Sequence, residues 1–481
     1  MIAAGRISHF VVLMLENRTF DHIFGFRKGV NGLGGNEHNL LDPAKPPSAT
    51  NPTFKVSENQ PVSTLPSKGP GHNVPDTNVQ LFDRESGPAA GHAASNNGFV
   101  KSFTTWLGID KLQPTPALLQ LPMASLSPDK IPAINALADA FVLCDNWHAE
   151  VPGPTQPNRL YMHAATSFGK AHNLFNAKPL PSFDGPTIYN HVQDAGGTWG
   201  VYYHDVRDID VLARVSTEAA NIHLFEQRFA ADIKAKKLPN YSFIVPRMMN
   251  AHGALANSQH APEDVRRADN LIADVYEALV ATPEVWHKTA LIVTYDEHGG
   301  FYDHVAPPST GVPNPDGKIS APSAADPKAP AFAFDRLGLR VPAIIASPWV
   351  APGVDSTPYQ HTSVLATVKK MFGLPSFLTK RDASAATFEG LFAKLHAART
   401  DTPKTLPRAA AQAPALAAVD AAHPANQPLD DNQVAYLQQA FHLTAEADPA
   451  GPRLEDMERK SQQEVSAFIA QRYAKRFGAP R

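Results

Sequence analysis

Cysteine is nearly absent. The 481 residues hold one, Cys144, so no disulfide can form within the chain and a cysteine-rich zinc site is excluded. Its setting, Ala140-Phe141-Val142-Leu143-Cys144, reads as a buried strand residue rather than a reactive thiol. Long hydrophobic runs are also missing: nothing approaches the roughly 18 apolar residues of a membrane span. Met1 to Ile7 is too short for a signal peptide, so the sequence as written leads one to expect a soluble, unexported chain, cytoplasmic by default. Strong net charge is lacking too. A formal charge of −3 and a pI near 6.7 give no broad field for a polyanion, so nucleic acid is not expected as a partner.

What is present is ordinary globular material, with 43% hydrophobic and 19% charged residues, enough to bury a sizeable core. The 44 prolines exceed the usual share of about 5% and imply many loops with fixed φ. Apolar runs of strand length recur at His9 to Leu15, Ala140 to Cys144, Thr198 to Tyr203, Tyr241 to Val245, Ala290 to Tyr295 and Val341 to Ser347. Helical patterns at Ile131 to Asp139 and Val265 to Val280 fall between several of them. The alternation predicts an α/β fold, a mostly parallel sheet covered by helices on both faces. Gly29 to Gly98 and Pro307 to Pro330 read as long loop insertions. Ala409 to Ala422 reads as an Ala-rich linker, followed by helices at Asp430 to Phe441 and Leu454 to Phe477.

Polar residues collect where apolar strands end, which is where open α/β sheets bind ligands. His9 to Leu15 runs into Glu16 and Asn17, and Ala290 to Tyr295 runs into Asp296 and Glu297; together these offer hard oxygen ligands to one cation. Helix caps and ion pairs would account for the same carboxylates. Thr155, within Val151-Pro-Gly-Pro-Thr155-Gln-Pro-Asn-Arg159, sits at the start of an amphipathic stretch from Asn158 to Ser167, where helix N-termini favour phosphate. It reads either as a helix N-cap or as a nucleophile activated by a metal or base. Among twenty histidines, His72, His204 and His260 have the polar, glycine-rich or strand-end contexts suited to protonating a leaving oxygen or neutralising a phosphoryl group. His22, His298, His304 and His361, near strand ends or helix starts, rank below them, since His304 and His361 also read as ties between loops. Arg159 pairs either with phosphate or with a carboxylate on its helix face.

These motifs converge on a resemblance. The segments ENRTFDH from Glu16, VPGPTQPNRLY from Val151, QHAPEDV from Gln259, YDEHGGFYDHV from Tyr295, SPWV from Ser347 and YQHTSV from Tyr359 resemble the bacterial phosphoesterase family that contains phospholipases C and an acid phosphatase. They span roughly residues 8 to 375, within the alkaline-phosphatase-like fold. The expected organisation is a three-layer α/β/α sandwich over residues 1–408, with the composition adding a linker at 409–429 and a helical C-terminal extension at 430–481. The resemblance implies metal ligands at Glu16, Asn17, Asp296 and Glu297, a divalent cation such as Ca²⁺, Mg²⁺ or Mn²⁺, a nucleophile at Thr155, and phosphate-facing histidines at His260, His72 and His204.

Phospholipase-like members carry threonine where the acid phosphatase carries serine, so Thr155 leans the expectation toward phosphodiesters such as phosphocholine esters through a phosphothreonine intermediate. The alternatives are an acid phosphatase acting on monoesters and a catalytically silent phosphate-ligand-binding protein. A phospholipid substrate would bring transient contact with a membrane surface. Many members carry a twin-arginine export signal and some carry C-terminal β domains; here the first strand begins almost at Met1 and the tail reads as helical.

Overall fold

The apolar run His9–Leu15 forms strand β1, and six of its seven residues are buried because the strand has neighbours on both edges and helices on both faces. In this computed structural model, residues 5–64, 69–88, 93–173, 182–251, 254–322, 330–410, 428–447, 449 and 451–478 are described. The remaining strands of the main sheet are β2 (Val142–Cys144), β3 (Trp199–Tyr203), β4 (Ile222–Leu224), β5 (Tyr241–Val245), β6 (Thr289–Tyr295), β7 (Ala343–Ala346) and β8 (Gly353–Asp355).

The eight strands lie in the order β8-β2-β7-β6-β1-β5-β3-β4. All pairings are parallel except those of β7, which runs against β6 and β2. The register between β1 and β6 is continuous from His9↔Thr289 to Leu15↔Tyr295. Glu16 and Asp296, the residues that follow, therefore leave the sheet side by side at its carboxyl edge. Cys144 closes β2 in the core, where burial pushes its thiol pKa well up and leaves it inert.

Helices α1 (Val74–Phe82), α2 (Pro132–Ala140), α3 (Thr155–Ala164), α4 (Phe225–Lys234), α5 (Val265–Val280) and α6 (Thr362–Phe372) join or flank these strands. Helices α2 and α4 pack on α5, and α6 packs on α3. The mixed α/β fold with a mostly parallel sheet thus matches the pattern of apolar runs. The stretch from Gly29 to Gly98 differs from its reading as pure loop. It holds a short hairpin, His38–Leu40 with Thr53–Lys55, and the helix α1, whose start is tied by Asn73 N–H donating to Asp76 Oδ2 at 3.0 Å.

The Ala-rich linker expected at 409–429 falls, apart from its ends, outside the described residues. Beyond it α7 (Asp431–Leu443) and α8 (Gln462–Phe477) pack on each other, and Tyr436, Leu437, Val465, Ile469 and Tyr473 join the same apolar cluster as β1 and β5. The single helix expected over Leu454 to Phe477 is broken. A short turn of helix, Leu454–Met457, ends, and Ser461 restarts the chain as α8 through a capping box with Glu464.

Candidate active site

At the carboxyl edge β1 and β6 stop together, and the chain must turn to aim consecutive polar residues at one point. Asn17 does this with a left-handed backbone, φ 62°. Its N–H donates to Asp296 Oδ1 at 3.0 Å, and Glu297 N–H donates to the same oxygen at 2.7 Å. The two strand ends are thereby stitched through one carboxylate oxygen. Asp296 Oδ2 and Glu297 Oε1 are buried with no hydrogen-bond partner. Buried carboxylate oxygens left this way are costly unless a cation or donor faces them.

Thr155 is the first residue of α3 and is fully buried, with Pro154 at the cap position. The structure therefore takes Thr155 out of the N-cap role. The helix entry is held by other residues: Asn158 Oδ1 accepts from Val151 N–H at 3.0 Å, and Asn173 Oδ1 accepts from Gln156 N–H at 3.1 Å. The Thr155 hydroxyl is left to donate to Asn17 Oδ1 at 3.4 Å.

His72 closes the other side of Asn17. Its Nδ1–H donates to Pro70 O at 3.1 Å, which leaves Nε2 as the acceptor for the Asn17 amide at 3.3 Å. The same Nε2 lies 3.9 Å from Glu297 Oε1. Gln80 on α1 fixes the arrangement by donating to Gly71 O at 2.7 Å and accepting from His298 Nε2 at 2.8 Å. His298 is thus a tie between the His72 loop and the Glu297 turn, held neutral by burial with a pKa lowered to about 3.

His260 stands edge-on to His72, ring centroids 5.9 Å apart. Its Nδ1 contacts Ala261 O at 2.5 Å and lies 3.9 Å from Asp430 Oδ2, while Nε2 is buried without a partner. Burial alone would discharge this ring, but Asp430, Glu16 and Glu263 outweigh it and raise its pKa to about 9. Burial, aided by mutual repulsion, pushes the Asp296 carboxyl well up, and burial likewise raises Glu16 and Glu297.

Arg159 lies beneath the carboxylates rather than on an exposed helix face. Its Nε is 3.9 Å from Glu16 Oε1, 3.7 Å from Asp296 Oδ2 and 3.5 Å from Asp208 Oδ2. Burial opposes its charge, but Tyr436, Asp208, Asp296 and Glu16 outweigh that effect. His361 braces the same turn: it accepts from the Trp147 indole at Nδ1, 3.2 Å, and donates from Nε2 to Asp296 O at 2.7 Å.

The structure therefore brings together Glu16, Asn17, Asp296, Glu297, Thr155, His72 and His260. His204 stands elsewhere. It follows β3, donates from Nδ1 to Val245 O at 2.7 Å, stacks on Phe225 and lines a cavity of about 930 Å³ with Arg207, Arg247 and Tyr473. His22, buried against Phe301, also lies outside the cluster's contacts.

Another acidic group is tighter. One ligand atom each from Asp21, Asp303 and His304 lie within 4.8 Å of one another. Arg340 already fills that role, donating to Asp21 Oδ1 and Asp303 Oδ1 at 2.9 Å each, so the group is a neutralised salt-bridge knot. The unpartnered oxygens of Asp296 and Glu297, beside Glu16 and the Asn17 amide oxygen, suit a hard divalent cation better.

Residues 7–375 match the family model described as the Phosphoesterase family. The chain belongs to this family. Similar curated proteins include non-specific phospholipase C6 of Arabidopsis thaliana, 36% identical over 421 residues, covering 83% of this chain and 75% of that one. Phospholipase C A of Mycobacterium tuberculosis is 30% identical over 407 residues, covering 77% of this chain and 73% of that one. Among solved structures, a protein in the alkaline phosphatase superfamily from Vibrio parahaemolyticus aligns with a TM-score of 0.33 at 10% identity, over 54% of this chain and 64% of that one.

The centre of this family member also holds residues that sequence reading did not single out. Glu263 sits within the motif QHAPEDV, and Asp208 follows His204 in a run of three aspartates, Asp205, Asp208 and Asp210, whose acidic clustering was a signal that could have found it. Asp430 and Asn432 gave none: both come from the start of α7, beyond the family match.

Proposed function

We propose that this chain is a divalent-cation-dependent phosphoric-ester hydrolase of the phospholipase C type, which cleaves phosphodiesters such as phosphocholine esters through Thr155. The observation that carries the reading is the Thr155 hydroxyl on Asn17 Oδ1, 3.4 Å, at the point where β1 and β6 deliver Glu16, Asp296 and Glu297. The named phospholipase C relatives direct it toward phospholipid or related ester substrates.

Glu16, Asn17, Asp296 and Glu297 would hold the cation, and Ca²⁺, Mg²⁺ or Mn²⁺ suits their oxygens. When bound, it supplies positive charge that favours the threonine alkoxide and offsets charge on the phosphoryl oxygens. Thr155 gives up its hydroxyl proton to solvent, and its Oγ1 bonds to phosphorus as the bond to the leaving alcohol breaks, with protonated His260 donating its proton to that alcohol oxygen. Water then bonds to the same phosphorus as the Thr155 link breaks, and the proton that water loses goes back to His260. His72, fixed by Pro70, orients the Asn17 amide beside the reacting phosphoryl group, and Arg159 balances the carboxylates from beneath.

The test is p-nitrophenol release from p-nitrophenyl phosphorylcholine and p-nitrophenyl phosphate, by the intact protein and Thr155→Ala, before and after metal removal. Diester preference, lost in the variant and restored by divalent cation in the intact protein, supports the proposal. Monoester preference would make the protein an acid phosphatase. Undiminished turnover by Thr155→Ala would sink the nucleophile, and no turnover of either ester would leave a phosphate-ligand-binding protein.

A further inference from the structure

We propose that the start of α7 is a working part of the reactive centre, with Asn432 and Asp430 acting as positioning residues for Glu16 and His260. The inference rests on the functional reading above. It concerns a segment that lies beyond the residues matched by the family model.

Asn432 is 2% exposed and donates from Nδ2 to Glu16 Oε1 at 2.9 Å, across 416 positions of sequence. Its Oδ1 is buried and has no partner. A side chain placed only to fill space at such a depth would be apolar, because a buried amide with an unmet acceptor destabilises its surroundings. The amide is instead oriented by the carboxylate. An amide N–H on one oxygen of Glu16 fixes the carboxylate rotamer and leaves the other oxygen to the centre, as outer-shell donors do around ligating carboxylates.

Asp430 divides its carboxylate between two tasks. Oδ1 caps α7 by accepting from Gln433 N–H at 2.8 Å, and Oδ2 faces His260 Nδ1 at 3.9 Å. One turn further on, the Tyr436 hydroxyl accepts from Arg159 Nε at 3.3 Å. Asp430, Asn432 and Tyr436 therefore meet a histidine, a carboxylate and the central arginine from the cap and first turns of one helix, so docking of α7 and order at the centre are linked.

The experiment uses the full chain. Mn²⁺ binding is measured by isothermal titration calorimetry without substrate, and kcat and KM are measured with p-nitrophenyl phosphorylcholine. Asn432→Leu keeps the volume and removes the donor; Asp430→Asn keeps the helix cap and removes the charge. Gln438→Ala, which cuts a hydrogen bond from α7 to Glu458 away from the centre, is the control.

Asn432→Leu is expected to weaken Mn²⁺ binding and lower kcat by about 10–100-fold each, with KM nearly unchanged. Asp430→Asn is expected to lower kcat with little change in Mn²⁺ affinity, and Gln438→Ala to leave both intact. Asn432→Leu with wild-type affinity and kcat overturns the proposal. So does an equal loss in Gln438→Ala, which would mean that α7 acts through stability alone. If the wild type itself binds no Mn²⁺, the cation reading fails, and the kcat comparison of Asn432→Leu with Gln438→Ala decides the positioning role. Should Asn432→Leu fail to fold by near-ultraviolet circular dichroism, Asn432→Ser replaces it under the same criteria.

Discussion

Arg159 donates from both terminal nitrogens to the main-chain oxygen of Met14, at 3.1 and 3.0 Å, two residues before Glu16. The guanidinium is thereby locked to β1 while its Nε faces the carboxylates. Lysine has one point charge and cannot make the fork. Arg159→Met leaves Glu16, Asp296 and Asp208 without their shared buried cation, and breaking such a pair costs about 3–5 kcal/mol. Urea unfolding of the metal-free protein should show a loss of that order, with Arg159→Lys only partly relieving it. A loss under about 1 kcal/mol would mean the carboxylates are protonated and need no counter-ion.

Gly299 makes the turn after Glu297 possible. Its φ is +64°, and a Cβ there would lie 2.3 Å from Asn17 O and 2.8 Å from Asn17 C. Backbone cannot move aside as a flexible side chain can, so Gly299→Ala must displace Asn17 or the Glu297 turn. The expected outcome is a destabilisation of about 1–3 kcal/mol with a larger effect on kcat than on stability, because Asn17 holds Thr155. Unfolding and p-nitrophenyl phosphorylcholine kinetics check it together; full activity would show that Asn17 need not stay in place.

The sheet was legible because its central strands are apolar throughout: β1, β5 and β6 are buried nearly end to end, and runs without alternation mark strands covered on both faces. The site was legible where polar residues follow such a run directly, as Glu16, Asn17, Asp296 and Glu297 do. Thr155 remained open between cap and nucleophile, since both occupy a helix entry; the structure removes the cap reading by placing Pro154 at the cap. Helix α1 escaped notice because nine residues give a weak period, although Asn73 and Asp76 carry a capping signal. The bond from Asn432 to Glu16 was out of reach. Periodicity announces α7 as a helix but does not say which distant strand end its first turn will meet.

Asp269 supplies a pH dependence remote from the cluster. Its two oxygens accept from Ala133 and Ile134 N–H, each at 2.9 Å, at the start of α2, and burial nonetheless raises its pKa to about 7. The unfolded value is about 3.9. Between these values the folded state binds more protons, so stability contributed here is full below pH 4 and is lost as pH rises through 7. An asparagine side chain in the same place does not titrate. Relative to Asp269→Asn, the wild type should therefore lose roughly 2–4 kcal/mol between pH 4 and pH 8. Urea unfolding at both pH values measures this, and parallel behaviour of the two proteins would contradict a raised pKa.

Two displacements at one phosphorus set the stereochemical outcome. Each in-line attack inverts, first by Thr155 Oγ1 and then by water, so hydrolysis of a chiral phosphorothioate diester in isotopic water should proceed with net retention. A direct attack by water would invert once. Thr155→Ser keeps a hydroxyl at the first turn of α3, within reach of Asn17 Oδ1, and should retain kcat within about 10-fold, whereas Thr155→Ala removes the nucleophile and should lose at least about 10³-fold. Retention with the wild type and with Thr155→Ser, together with collapse of Thr155→Ala, is the pattern a phosphothreonine requires. Inversion by the wild type would remove the covalent step and leave Thr155 as a residue that orders Asn17, a role that Thr155→Ala would expose through KM and cation affinity rather than through a loss of chemistry.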